Sequence, residues 1–224
     1  MNLHDWNINE MFSPIWIDKG VCVLSEGVEE PPDAVEVFRL VRSTSFGTGG
    51  HPATKAVLDA YRRVRSTHMA AEARVLDFGA GTGLLSLVAK SKCESDVVIA
   101  VVNPDDHETI EANQRINPGK IDDVVMPGYF CKDDARRFWA SFFDITMTQT
   151  GSIFMLDRLD LLEKYTAPAG ALIFGGHKAS DHRFCLHRIA EFFQIIEVSD
   201  HMGWPVILAQ PLPKIPDTPI NDDN

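Results

Sequence analysis

From Arg74 onwards the chain alternates between short apolar stretches and segments with the periodicity of a helix. Residues 75–78 form one such stretch, and residues 97–102 are six apolar residues in succession, as expected for a strand buried on both faces of a parallel sheet. Further strands are predicted at residues 124–126, 143–148, 171–174, 195–198 and 205–209. A turn is predicted at residues 168–170, just before the strand at 171–174, and a helix is predicted over residues 181–193. Strands that alternate with helices predict an α/β fold. Its sheet should be mostly parallel, with helices on both faces and an antiparallel pair at the end.

The composition excludes several classes of protein. The chain has 224 residues and a formal net charge of −11, which disfavours direct binding to nucleic acid because the phosphates would repel it. Four cysteines (Cys22, Cys93, Cys131, Cys185) are far apart in sequence, which is typical of free thiols in a reducing compartment. The N-terminus lacks the apolar core of a signal peptide, and no apolar run approaches the roughly 20 residues that cross a bilayer. We therefore expect a globular, cytoplasmic protein with no membrane association; the sequence does not indicate its oligomeric state.

Three segments are predicted along the chain. Residues 1–45 form a β-rich appendage, because residues 35–40 alternate between apolar and polar with the period of a strand. Residues 46–210 contain the glycine-rich loops and the α/β pattern. Residues 211–224 contain four prolines and three acids and have little to bury, so a mobile tail is expected there.

A glycine-rich loop, Asp77-Phe78-Gly79-Ala80-Gly81-Thr82-Gly83, joins a predicted strand to a helix that begins at Leu84. Glycines let a ligand approach the backbone closely, and a helix N-terminus presents free N–H groups. A dinucleotide-binding fingerprint requires glycine where this chain has Leu84, and a phosphate-binding loop requires a Gly-Lys-Ser/Thr ending that is absent. The loop matches the x-D-x-G-x-G-x-G pattern of S-adenosylmethionine-dependent methyltransferases. A plain strand–helix turn is the alternative, although one glycine would suffice for it.

A second glycine-rich loop, Phe-Gly-Thr-Gly-Gly-His-Pro-Ala-Thr at residues 46–54, precedes the first and leads into a predicted helix. It resembles the F-G-T-G-x-H-P-T-T motif of the ribosomal protein L11 methyltransferases of the PrmA type, and residues 75–83 resemble that family's V-L-D-F-G-x-G-x-G. The resemblance covers roughly residues 6–210. It implies the class I methyltransferase fold with a seven-stranded sheet, S-adenosyl-L-methionine as cofactor, and a protein substrate that is ribosomal in the family. The chain begins near the family's linker, so we expect it to lack the N-terminal substrate-recognition domain.

The resemblance also implies which residues form the site. The cofactor-binding positions are Phe46, Thr54, Asp77, Gly79, Gly81, Gly83, Val101 and Asn103. Val101 and Asn103 stand where the family motif G-I-D-I-D-P has its two aspartates, the first of which binds the ribose hydroxyls. Gln149 stands where the family has an asparagine near the transferred methyl group, and it is the candidate catalytic residue.

The histidines and cysteines do not predict a metal site. His182, Cys185 and His187 are close in sequence but do not share one face of a helix. His51 lies in a His-Pro turn, where we expect it to shape the loop.

The departures from the family motif leave two functions open. A carboxylate that accepts hydrogen bonds from ribose hydroxyls contributes about 1.5–3 kcal/mol, so valine at position 101 predicts a cofactor affinity weaker by about 10- to 100-fold. Asn103 or Asp105 are candidates to compensate, although Asn103 also suits the N-cap of a helix opened by Pro104.

We therefore expect an S-adenosylmethionine-dependent methyltransferase that acts on a protein amine, either a lysine or an N-terminus. Such a reaction requires positioning rather than acid–base machinery. The alternative is a catalytically degenerate protein that keeps the fold as a binding or regulatory module. An oxidoreductase is disfavoured by Leu84.

Overall fold

The computed structural model describes residues 14–68, 72–92, 96–117, 123–125, 140, 142–150 and 152–213. In chain order its elements are β1 (Ile15–Asp18), β2 (Val21–Ser25), β3 (Glu36–Leu40), α1 (Pro52–His68), β4 (Arg74–Phe78), α2 (Leu84–Ser91), β5 (Asp96–Ala100), α3 (Asp106–Ile116), β6 (Asp123–Val125), β7 (Phe143–Thr148), α4 (Ser152–Leu156), α5 (Leu159–Tyr165), β8 (Thr166–Phe174), a 3-10 turn (Ala179–Asp181), α6 (His182–Ile189), β9 (Phe193–His201) and β10 (Trp204–Pro211).

Seven strands form one sheet in the order β6-β5-β4-β7-β8-β10-β9. The strands from β6 to β8 are parallel, whereas β10 is antiparallel to both β8 and β9. This confirms the predicted seven-stranded, mostly parallel sheet with an antiparallel pair at its end. From β4 the chain first builds outwards to β6 and then returns to place β7 on the other side of β4, so β4 lies where the strand order reverses.

Apolar side chains cover both faces of this sheet. One cluster joins α1, α2 and α3 to one face, and it includes Val75, Ile99 and Ile110. A second cluster joins α4, α5 and α6 to the other face, and it includes Leu76 and Phe78. Successive residues of β4 thus point to opposite faces, as the two-residue period of a strand requires. The apolar runs that predicted buried strands follow from this burial on both faces.

The N-terminal strands form a separate three-stranded sheet. β2 pairs antiparallel with β1 and parallel with β3. Ile17, Val23, Phe38 and Leu40 belong to the same apolar cluster as α1 and α2, so this small sheet packs against the helical layer. The chain leaves β3 on that side and continues into the loop at residues 46–54.

The start of α3 differs from the prediction. Asn103 is not the N-cap, because the helix begins at Asp106 and its N-cap is Asp105. The residues from Asn103 form a turn instead, in which Asn103 Oδ1 accepts from Asp105 N (3.3 Å) and Asn103 O accepts from Asp106 N (3.0 Å). The Asn-Pro pair therefore opens a turn, and the helix follows it three residues later.

Two other predicted boundaries moved because strand pairing overrides local pattern. The predicted turn at residues 168–170 lies within β8, which begins at Thr166. The helix predicted over residues 181–193 ends at Ile189, since Phe193 is buried and starts β9 opposite Pro211. By contrast, β7 has the predicted bounds.

Some predictions lie wholly or partly outside the described residues. They include those for Cys93 and Cys131 and for residues 214–224 of the tail. Cys22 and Cys185 are buried and free. Among the described residues, no helix combines the length and apolar character needed to span a membrane.

Two buried asparagines of α3 tie the chain after β3 to the rest of the fold. Asn113 Oδ1 accepts from Val41 N (2.7 Å), and its Nδ2 donates to Thr82 O (2.8 Å). Asn117 Oδ1 accepts from Arg39 N (2.7 Å), and its Nδ2 lies 2.6 Å from Arg39 O, to which it donates. Among the described strands, only β2 pairs with β3, so the other edge of β3 has no strand beside it. The side-chain amides bond to the backbone groups of residues 39–41 on that side. Because both asparagines are buried, each bond is costly to leave unmade.

We predict that Asn113→Ala lowers the free energy of unfolding by about 3 kcal/mol, because it leaves the partly buried N–H of Val41 and the buried carbonyl of Thr82 without partners. Urea denaturation followed by circular dichroism measures the loss. Gln114→Ala, one residue along the same helix, is the control and should change the stability by less than about 0.5 kcal/mol. Equal losses for the two variants would show that the Asn113 bridge is not what holds residues 39–41.

Candidate functional site

The candidate site lies at the carboxyl end of β4, where the strand order reverses. β4 pairs with β5 on one side and with β7 on the other, so the loops that follow these strands diverge. Gly79 N donates to Ala100 O at the end of β5 (2.8 Å), which fixes the start of the glycine loop. In open α/β sheets, the crevice at such a reversal is where ligands bind.

Glycine is required at two positions of the loop after β4. Gly79 and Gly81 have φ of +80° and +56°, in the left-handed region that side chains disfavour. A Cβ at Gly79 would collide with the side chain of Thr150, and one at Gly81 would collide with the carbonyl oxygen of Phe46. The loop therefore approaches two other chain segments more closely than any residue with a side chain permits.

Thr82 joins the two glycine-rich loops. Its N–H donates to Phe46 O (2.9 Å), and its hydroxyl donates to Gly47 O (2.7 Å). Two motifs that are far apart in sequence thus form one structural unit. His51 shapes the second loop as expected: its Nδ1 accepts from Ala53 N (3.1 Å), and its ring lies 5.0 Å from that of Phe46.

A cavity of about 150 Å³ opens between these loops and the end of β7. This volume is smaller than the roughly 300–1,000 Å³ of a typical ligand pocket, so it encloses only part of a nucleoside-sized ligand. Its wall combines bare backbone, apolar side chains and a few polar groups. It is lined by Phe46, Gly47, Gly79, Ala80, Gly81, Leu84, Leu85, Asp106, Gln149 and Thr150.

Gln149 is placed on this wall by the end of β7. Its side chain is buried, and its Nε2 donates to the hydroxyl of Thr54 at the start of α1 (2.7 Å). Thr54 is itself 1% exposed. Two residues that the sequence singled out for separate reasons are therefore in direct contact. The bond fixes the orientation of the amide, so its oxygen is the atom available to accept a hydrogen bond from a ligand.

The structure places the candidate site residues in two groups. Phe46, Gly79, Gly81 and Gln149 line the cavity, and Thr54 supports Gln149 from behind. The others lie outside its wall: Asp77, Gly83, Val101 and Asn103.

The side chains of Val101 and Asn103 contact other parts of the protein rather than the cavity. Val101 is 1% exposed and belongs to the apolar cluster beneath α2 and α3. An aspartate at this position would place a carboxylate in that cluster. Asn103 is exposed, and its side chain bonds within its own turn. Neither side chain faces the cavity.

Asp77 lies beneath the glycine loop rather than in it. It is fully buried on the α2 face of the sheet, where Ser86 Oγ donates to its Oδ2 (2.7 Å). Its Oδ1 has no hydrogen-bond partner among the described residues. Burial raises the pKa of Asp77 to about 6, and the bond from Ser86 only partly opposes that rise.

Several cavity residues were missed by sequence reasoning. Gly47, Ala80 and Leu84 lie within or beside the recognised motifs, so their neighbours gave a signal. Asp106 had only the signal of an acid in the first turn of a helix, and Thr150 had none of its own.

Among the described residues, no three His, Cys, Asp or Glu side chains are grouped as they would be to hold a metal ion. Cys185 is buried, and burial raises the pKa of its thiol to about 11, which disfavours the thiolate that binds metals.

We predict that Gly81→Ala destabilises the protein by about 3 kcal/mol, because left-handed strain adds to a collision with the backbone of Phe46. Gly27→Ala is the matched control, since Gly27 also has a positive φ but has open space around it. It should cost only about 1 kcal/mol for the strain itself. Thermal unfolding of both variants measures the difference, and equal costs would rule out the tight contact between the two loops.

We also predict that Asp77→Asn stabilises the protein in a pH-dependent way. The folded pKa is raised to about 6 from 3.8, so the penalty of the carboxylate is absent below pH 4, grows as pH rises to 6 and then stays constant. Relative to the wild type, the free energy of unfolding of Asp77→Asn should therefore increase by about 3 kcal/mol between pH 4 and pH 7. Urea denaturation at both values measures it, with Asp33→Asn, an exposed site, as the baseline. A difference that is the same at both pH values would contradict the burial of a charge at this position.

Comparisons with known proteins bear on the family and the fold of the chain. The family model described as ribosomal protein L11 methyltransferase (PrmA) matches residues 1–211. A ribosomal protein L11 methyltransferase of Janthinobacterium sp. (strain Marseille) is 26% identical over 208 residues, which are 92% of this chain and 64% of that protein. One of Ralstonia pickettii (strain 12J) is 33% identical over 166 residues, which are 74% of this chain and 51% of that protein. The chain thus spans about half to just under two thirds of the length of these curated relatives.

Solved structures share the fold. The crystal structure of a ribosomal protein L11 methylase from Lactobacillus delbrueckii subsp. bulgaricus superposes with a TM-score of 0.75 at 18% identity, covering 89% of this chain and 99% of that one. A tRNA (m1A58) methyltransferase from Aquifex aeolicus superposes with a TM-score of 0.56 at 14% identity, covering 70% and 69%. The sheet order and these superpositions establish the Rossmann-like methyltransferase fold. Because the family model matches residues 1–211 of the 224 in this chain, the chain belongs to the ribosomal protein L11 methyltransferase (PrmA) family.

Proposed function

We propose that this protein is an S-adenosyl-L-methionine-dependent methyltransferase that methylates an amine of a protein, either a lysine side chain or an N-terminus. The observation that carries the proposal is the cavity at the end of β4, where both glycine-rich loops and the amide of Gln149 meet. Membership of the family supports it as well.

The cavity wall suits this cofactor. Gly79 and Gly81 line it with bare backbone, which lets the methionine portion of the cofactor approach peptide groups closely. Phe46, Leu84 and Leu85 provide apolar surface of the kind that binds a thioether or a purine. When bound, this cofactor supplies an electrophilic methyl group on a sulfonium centre that leaves as a neutral thioether. The chain therefore has to position an acceptor and exclude water rather than assist a poor leaving group.

Gln149 is the residue best placed to orient the acceptor. Because its Nε2 donates to Thr54, its Oε1 is the acceptor for an N–H of the incoming amine. A side-chain amide does not titrate, so Gln149 positions a neutral amine but does not remove its proton. The apolar side chains around it reduce access of water to the same space.

A ribosomal protein is the proposed substrate class, on the strength of the relatives' names. A substrate of this kind would place the protein in the cytoplasm. The net charge of −11 supports recognition of a protein surface rather than direct contact with ribosomal RNA. The alternative of a non-catalytic binding module is not favoured, since the bond between Gln149 and Thr54 preserves an amide at the cavity.

We predict that the protein binds S-adenosylmethionine and S-adenosylhomocysteine in calorimetry and transfers a labelled methyl group to recombinant, unmethylated bacterial ribosomal protein L11. Gln149→Ala should lower kcat by about 10- to 100-fold, because it removes a hydrogen bond to the reacting amine. Gln149→Asn retains the amide and should recover most of the loss.

Gln194→Ala, at an exposed position of β9, is the control and should leave kcat unchanged. Absence of heat with either ligand at millimolar concentration would refute the proposal. If binding occurs and Gln149→Ala transfers methyl groups at the wild-type rate, the amide has no part in the reaction.

A further inference from the structure

The resemblance implies an acid that binds ribose at position 101, and this chain has no acid there. That position is Val101, whose side chain is apolar and 1% exposed within the cluster beneath α2 and α3. A ribose diol that leaves water needs hydrogen-bond acceptors, and a carboxylate is the strongest of these. We therefore expect the acceptor for the diol in another residue of the segment from Val101 to Asp106, which joins β5 to α3 and includes the first residue of that helix.

Asp106 is the carboxylate of this segment that lines the cavity. It is the first residue of α3, and Ser45 Oγ donates to its Oδ1 (2.6 Å). The Ser45 hydroxyl also lies 3.2 Å from Thr109 Oγ1, and both residues are buried. The carboxylate is thus held in place by a short bond to one oxygen. A carboxylate has about four acceptor positions, so the bond to Ser45 leaves capacity for a pair of hydroxyls.

The other polar residues of this segment, Asn103 and Asp105, lie outside the cavity wall. Asn103 is exposed, and its Oδ1 accepts from Asp105 N. Asp105 is exposed and is not part of the cavity wall.

We propose that Asp106, positioned by Ser45, accepts the ribose hydroxyls of the methyl donor and replaces the acid that the family carries at the position of Val101. The inference rests on the proposed function, because it assumes an adenosyl ligand in this cavity. Asp106 and Val101 belong to the same segment after β5, so Asp106 follows the strand end at which the resemblance implies the ribose contact. The role is a binding one, and Ser45 acts only by orienting the carboxylate.

The test compares Asp106→Asn with Asp105→Asn in calorimetry with S-adenosylhomocysteine. Asparagine keeps an oxygen for Ser45 but loses the charge and one acceptor. The Kd of Asp106→Asn for S-adenosylhomocysteine should therefore rise about 10- to 100-fold. Asp105→Asn removes the same charge one residue away and should change Kd by less than about twofold. Ser45→Ala should weaken binding less than Asp106→Asn does. Thermal unfolding of each variant confirms that it is folded before its Kd is compared.

Two further ligands identify the group that Asp106 contacts. With 5′-methylthioadenosine, which keeps the ribose but lacks the amino-acid portion, Asp106→Asn should cause the same fold-loss. With 5′-methylthio-2′,3′-dideoxyadenosine, which lacks both hydroxyls, Asp106→Asn and Asp105→Asn should have equal Kd values. A loss seen with S-adenosylhomocysteine but not with 5′-methylthioadenosine would mean that Asp106 pairs with the ammonium group, which would overturn the inference.

The outcomes also separate this inference from the proposed function. If the wild type binds none of these ligands, the proposed function itself fails. If the wild type binds S-adenosylhomocysteine and Asp106→Asn binds it as tightly as Asp105→Asn does, only the role of Asp106 is refuted.

Discussion

The close backbone contact between Phe46 and the glycine loop determines how this molecule is assembled. A side chain at Gly81 would occupy the position of Phe46 O, so the two loops meet only because that residue is glycine. Thr82 then uses every polar group it has: its N–H and hydroxyl bind residues 46 and 47, and its carbonyl accepts from Asn113. One residue thus fixes the second loop, the glycine loop and α3 relative to one another. The cavity is the space that remains between these three segments, so its shape depends on backbone contacts more than on its own side chains.

Much of this fold follows from local patterns. The strand β7 could be predicted to the residue because its alternation is uninterrupted and both its faces are buried. The glycine loop could be placed because three glycines between a strand and a helix are needed only where a ligand or another chain segment comes close to the backbone. The second loop was found through its resemblance to a family motif, and the contact between Thr54 and Gln149 brings together two positions that the motifs marked separately. These features are encoded within about ten residues each, which is the range over which sequence patterns are informative.

The features that sequence reasoning missed depend on contacts between distant segments. Nothing near Asp106 shows that it lines a cavity, because that depends on a turn after β5 that moves the N-cap of α3 from Asn103 to Asp105, two residues later. A helix that began at Asn103 would have presented a different face of the same segment. In the same way, the helical periodicity before Phe193 is genuine, but pairing with β10 ends the helix early. Burial of Asp77 beneath the loop, with one oxygen bonded only to Ser86, is also invisible in a motif that merely requires an acid.

The resemblance implies an acid at position 101, and the surroundings of Val101 show what the fold gains without one. Val101 is buried within the apolar layer under α2 and α3, so a valine there gains burial that a carboxylate would oppose. Because valine contributes packing at this position, the sheet has no structural reason to carry an acid there. Any recovery of the contact has to come from a residue whose side chain is not needed by the core. The first turn of α3 meets that condition, because Asp106 is half-buried and is held by a hydroxyl rather than by apolar neighbours.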